Sequence, residues 1–173
     1  MIITRPEPAE FASFYAGYIG KVPDSGPEPL LREQLGALEK LRYLPEDKAN
    51  YAYAEGKCTV MEVIGHVADG ERVFSYRLTR IARGDTTPLA GFDENAWAKA
   101  APHARRRIAD VVDEMIAVRK STIALIHSLD DQSIGNKGVA NNNPVSARAI
   151  CWIMAGHTKH HLDILSERYG VGR

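Results

Sequence analysis

Between about Pro102 and Leu129 the side chains Ile108, Val111, Met115, Val118, Thr122, Leu125 and Leu129 follow one another at alternating spacings of three and four. A stripe of this near-heptad period is what one helix presents to others in a bundle, and strand alternation does not produce it. Three further segments carry the same period. Leu31, Leu35, Leu38 and Leu41 mark a helix from about Pro29 to Tyr43, and Val63, Val67, Gly70, Phe74, Leu78 and Ile81 mark one from Thr59 to about Arg83. The last runs to Tyr169 with Ala147, Ile150, Met154, His157, His161, Ile164 and Arg168 on one stripe.

The ends of these segments carry stop and start signals. Thr59 with Glu62 three residues later forms a capping box, and Gly84 to Pro88 terminates that helix. Asn143 followed by Pro144 reads as the start of the last helix, with the loop Asp130 to Asn142 before it. Phe11, Phe14, Tyr15 and Tyr18 place a short helix from about Pro8 to Tyr18, and a turn of helix is weakly signalled from Asp93 to Lys99. No segment reads as a strand. The expected fold is an all-α four-helix bundle with a short extra N-terminal helix, in a single domain spanning residues 1–173.

Charge narrows the function classes. The chain carries 22 basic and 22 acidic residues, a formal net charge of zero, which argues against a nucleic-acid partner and gives no membrane-surface signal. No stretch approaches the roughly 20 apolar residues that cross a bilayer, and the first residues lack a basic region followed by an apolar one. Cys58 and Cys151 are far apart and form no CxxC pair, so a disulfide framework and a zinc ribbon are not indicated. The expectation is a cytoplasmic protein.

Two imidazoles interrupt the apolar stripe of the last helix. His157 and His161 are four apart and lie one above the other on a helix face, so both can present a ring nitrogen to one ion. Leaving two buried imidazoles without partners costs roughly 1–3 kcal/mol each, and the stripe offers few hydrogen-bond partners. A shared ion removes that cost. The best third ligand is His66, which borders the stripe beside Val63 and Gly70; its alternative is a histidine bonded to a carbonyl. Gly65 and Gly156 directly precede His66 and His157, a repetition that suggests close helix approach. Three neutral imidazoles suit Zn²⁺, Ni²⁺, Fe²⁺ or Cu²⁺ better than Mg²⁺ or Ca²⁺ and leave a coordination position open to water or substrate.

Glu62 and Asp69 lie one turn either side of His66 and are candidate proton acceptors or orienting groups; for either alone, a solvated helix-face carboxylate is the commoner reading. His103, His127 and His160 lack ligand spacing, and His160 is at best an outer partner. The run Arg105 to Arg107 is a basic helix start with no role assigned.

The segments Ala54 to Thr59, Glu62 to His66, Glu71-Arg72, Tyr76-Arg77, Arg80 to Asp85, Pro88 to Asp93 and Ala155 to His161 together resemble the DinB-like superfamily of damage-inducible proteins, in order and spacing from about Tyr53 to Tyr169. The resemblance implies a four-helix bundle, frequently a homodimer, with one divalent metal bound at the positions of His66, His157 and His161. Characterised relatives include S-transferases and isomerases that use a low-molecular-weight thiol as cosubstrate, and many members are described as metal-dependent hydrolases. Relatives usually carry tryptophan where this chain has Cys58, a change that reshapes the pocket mouth if the residue lines it and is otherwise a small packed hydrophobe.

Three functions compete at this stage. The first is a metal-dependent thiol S-transferase acting on small electrophiles, the second a metal-dependent hydrolase with Glu62 or Asp69 as proton acceptor, and the third a non-catalytic protein that sequesters a metal or a stress metabolite.

Overall fold

A computed structural model describes residues 2–172. Four long helices form the bundle: α2 (Pro27–Leu41), α4 (Val60–Ala82), α6 (Ile108–His127) and α8 (Ala147–Tyr169). Around the ring α2 packs on α6 and α8, and α4 packs on α6 and α8, so α2 and α4 sit diagonally. Short helices α1 (Ala16–Ile19), α3 (Glu46–Ala49), α5 (Glu94–Ala100) and α7 (Asp131–Gly135) fill the connections. Among the described residues no helix is long and apolar enough to cross a membrane.

The stripe of α4 is buried as the period requires, and its start is the expected box: Thr59 Oγ1 accepts from the Glu62 amide while Glu62 Oε2 accepts from the Thr59 amide at 2.7 Å. Capping satisfies amides that the first helical turn leaves without partners. Helix α6 begins six residues later than the sequence pattern indicates, at Ile108. Pro102 leads instead into a 3-10 turn over His103–Arg105, and the arginine run precedes the helix rather than lying within its first turn.

The sharpest departure is at the start of α8. Residues Lys137–Ala140 (β1) and Asn143–Ser146 (β2) pair as an antiparallel hairpin, where the sequence reading has a loop and then a helix start. Asn141 and Asn142 both adopt positive φ, 49° and 60°, the conformation a two-residue hairpin turn needs and asparagine tolerates. Pro144 therefore sits in a strand, and the cap of α8 is Ser146, whose hydroxyl accepts from the Ala149 amide. The N-terminal segment also differs from the expected helix: two 3-10 turns precede the four-residue α1.

That segment is fastened along α8. Trp152 Nε1 donates to the Ile3 carbonyl at 3.1 Å, the Arg148 guanidinium binds the buried Glu10 carboxylate, and the Arg5 guanidinium lies 4.4 Å from the Trp152 ring centre. Covered by the bundle on one side and by this segment on the other, α8 is buried all round from Cys151 to Thr158. Toward its C-terminus the buried face turns to Leu165 and Tyr169, and Arg168, placed on the stripe by period, is exposed.

Candidate metal centre

Helices α4 and α8 are neighbours, and their contact brings His66 against His157 and His161. One ring nitrogen from each lies within 4.8 Å of the other two, and His157 Nε2 and His161 Nε2 stand 3.1 Å apart. Two nitrogens each ~2.0–2.1 Å from one tetrahedral ion would be separated by ~3.3 Å, so this spacing suits a shared ion. Gly70 makes the room: a Cβ there would lie 3.2 Å from His157 Cε1.

The electrostatics favour uncharged rings. Burial, followed by the neighbouring His161 and His66, holds His157 well below the ordinary imidazole range, and burial brings His161 down to about 3. Burial also lowers His66, against the opposing pull of the Glu94 and Asp69 carboxylates. A neutral imidazole is the form that ligates a metal, so the three donors are ready without first losing a proton. Three nitrogen donors and no oxygen in the converging set match a borderline transition metal.

A cavity of about 240 Å³ opens beside the triad, bounded by His66, His157, Gly70 and Phe74, by Phe14, Tyr15 and Tyr18 from the N-terminal segment, and by Phe92 and Glu94. The hairpin sets the last two. Leu89 bridges to β1 through its amide to the Val139 carbonyl and its carbonyl to the Asn141 amide, both at 2.9 Å, while Arg77 Nη2 donates to the Ala90 carbonyl at 2.8 Å. Gly91 lies so close to Asn141 that a Cβ would come within 2.2 Å of its Oδ1. Asp93 then caps α5, which places Glu94 at the cavity edge. The sequence reading assigned nothing to Glu94 or to the N-terminal aromatics. The local hints are helix signals alone, one beginning at Asp93 and one along Phe11 to Tyr18, and only tertiary packing brings these residues to the histidines.

Glu62 and Asp69 do not line the cavity. Glu62 is engaged in the cap of α4, and Asp69 binds Arg72 Nη1 and His103 Nε2, each at 3.2 Å. Gly65 serves His103 rather than a helix crossing: a Cβ on it would meet the His103 ring at 2.3 Å. Gly156 admits backbone, since its Cβ would fall 2.0 Å from the Tyr18 carbonyl oxygen. That approach lays the Tyr18 ring against His157 and His160, both with centroids 5.3 Å away. Neither His103, His127 nor His160 joins the converging set. Cys58 is exposed and does not line the cavity, so it is not the packed hydrophobe that a free cysteine more often becomes; its carbonyl accepts from the Tyr169 hydroxyl.

The family model of the DinB superfamily matches residues 30–165, the span that holds all three histidines. The chain belongs to the DinB superfamily. Among solved structures it is similar to YfiT from Bacillus subtilis, described as a probable metal-dependent hydrolase with an unusual four-helix bundle topology, with a TM-score of 0.70 and 18% identity over 96% of this chain and 93% of that one. At that identity the likeness speaks for the fold. No curated protein matches the sequence at a significant level.

Proposed function

We propose that this DinB protein is a metal-dependent hydrolase of a small molecule, with His66, His157 and His161 holding one divalent ion, Zn²⁺, Ni²⁺ or Fe²⁺. The observation that carries the reading is the convergence of three uncharged imidazoles, two of which line a cavity large enough for a small substrate. The hydrolase description of YfiT agrees with it. When bound, such an ion supplies a Lewis acid that polarises a carbonyl and lowers the pKa of water toward neutrality.

The chain's own groups do the rest. The aromatic walls exclude bulk water and orient the substrate, which strengthens every polar interaction inside the cavity. Glu62 and Asp69, bound to other partners outside the cavity, receive no proton-transfer role in this reading. Among the described residues the lining holds one carboxylate and no Lys or Arg, so any positive charge inside the cavity is that of the ion itself. What puts hydrolysis ahead of S-transfer in this reading is the hydrolase description of YfiT.

The test has two stages. Mass spectrometry of untagged protein should find about one divalent ion per chain, absent from the His157→Ala, His161→Ala double variant. The loaded protein should then hydrolyse members of an ester, amide and lactone panel that the double variant leaves intact. Acceleration of thiol addition to an epoxide, with no hydrolysis, would reverse the choice in favour of S-transfer. A metal-free wild type that resists loading would sink both.

A further inference from the structure

The cavity wall has an unusual chemical make-up. Phe14, Tyr15, Tyr18, Phe74 and Phe92 line it beside two of the imidazoles, and the only formally charged side chain among them is Glu94. Glu94 is exposed, has no hydrogen-bond or ion-pair partner among the described residues, and lies outside the set of side chains that converges for an ion. Its charge nevertheless reaches inward, acting on Tyr15, Tyr18 and His66. Arg77 also acts on Tyr15, but it donates to the Ala90 carbonyl, has its Cζ 5.8 Å from the Phe92 ring centre, and lines the adjoining cavities rather than this one.

A ligand entering here meets five aromatic side chains and a carboxylate that has no ion-pair partner among the described residues. Glu94 repels an anion, which the ion held by the histidines would instead attract, so the carboxylate is the part of the wall suited to a group of opposite charge. A neutral ligand strips water from that carboxylate and returns no counter-charge, which costs stability. A positively charged nitrogen satisfies both the carboxylate and the rings, the pairing by which aromatic cages recognise ammonium groups. We propose that the cavity receives an organic ammonium group, held by Glu94 and the rings of Phe14, Tyr18 and Phe92, so that substrates of this site carry a cationic nitrogen. The inference rests on reading the cavity as the substrate site. Phe14, Tyr15 and Tyr18 lie in the N-terminal segment, ahead of the residues matched to the superfamily.

The probes are choline and its neutral isostere dimethylbutanol, in which carbon replaces the quaternary nitrogen. Both are titrated calorimetrically into protein as purified, and metal content is measured on the same samples. Wild type should bind choline roughly tenfold more tightly than dimethylbutanol, and Glu94→Gln should bring the two within roughly twofold. Phe92→Leu should weaken choline more than dimethylbutanol. Equal binding of the probes, a choline preference that survives Glu94→Gln, or no binding of either would overturn the proposal. A choline preference in samples that hold no metal and resist loading would uphold it and fault the metal reading alone; loaded samples without the preference would fault this proposal alone.

Discussion

Arg119 forks onto Glu71, with Nε 2.8 Å from Oε1 and Nη2 2.6 Å from Oε2, and neither side chain has meaningful access to water. The same guanidinium donates to the Leu31 carbonyl, to Gln34 Oε1 and to Thr158 Oγ1, so one side chain on α6 is bonded to α4, α2 and α8. Cutting a buried pair leaves an uncompensated charge, which typically costs 3–5 kcal/mol. Arg119→Ala and Glu71→Ala should each lower unfolding free energy by about that much in urea titrations. Because they share partners, the double variant should lose less than the sum.

Metal should report on stability as well as on chemistry. An ion that binds only the folded chain adds about 2.7 kcal/mol when its free concentration is a hundred times its Kd. Chelation should therefore lower the Tm of wild type, and re-addition of Zn²⁺ should restore it. The Tm of His161→Ala should ignore both treatments.

The depressed imidazoles give the metal-free protein a defined pH response. Unfolding returns each ring to an ordinary pKa near 6.5, so below that pH the unfolded state binds more protons than the folded one. The stability held by the neutral rings is complete above about pH 6.5 and is lost as pH falls toward the folded-state values, about 3 for His161 and well below the ordinary range for His157. Each group contributes a slope of at most about 1.4 kcal/mol per pH unit. Thermal melts of chelated protein should fall between pH 6.5 and 5.5, and the His157→Ala, His161→Ala variant should give a flatter profile.

Gly156→Ala should detach the N-terminal wall, because its Cβ would fall 2.0 Å from the Tyr18 carbonyl oxygen, and backbone cannot swing aside as a side chain does. A loss of roughly 1–3 kcal/mol is expected from such overpacking. Limited proteolysis should cut the variant ahead of α2 faster than wild type.

Glu62→Gln separates a cap from a catalyst. Glutamine can still close the capping box on Thr59, so melting temperature should change little, whereas a proton acceptor at this position would lose its function. Hydrolytic activity within about twofold of wild type is the outcome expected if proton transfer alone typically contributes at least a hundredfold. A collapse in rate would return Glu62 to the reaction.

Much of the frame is legible in the sequence because it is built from local signals. The box at Thr59, the period of α4 and α6, and the His157–His161 spacing are each read within a few residues, and the converging nitrogens follow once two helices pack. The hairpin escaped because Asn143-Pro144 is also a good helix start and four-residue strands barely establish an alternation. Only the pairing of β1 with β2, through the turn at Asn141 and Asn142, decides between them. Glu94 and Tyr18 escaped for another reason: their significance depends on chain segments far away in sequence, for which no short-range pattern exists.

The origin of the cavity wall bears on how such a protein changes over time. Phe14, Tyr15, Tyr18, Phe92 and Glu94 come from connecting segments laid over the bundle, while the three converging histidines come from its long helices. Under the proposed function, mutations in those outer segments can retune which molecule is accepted without disturbing the helices that carry the histidines. A lineage with this division of labour can diversify its chemistry cheaply, and two members with matching histidines need share no substrate.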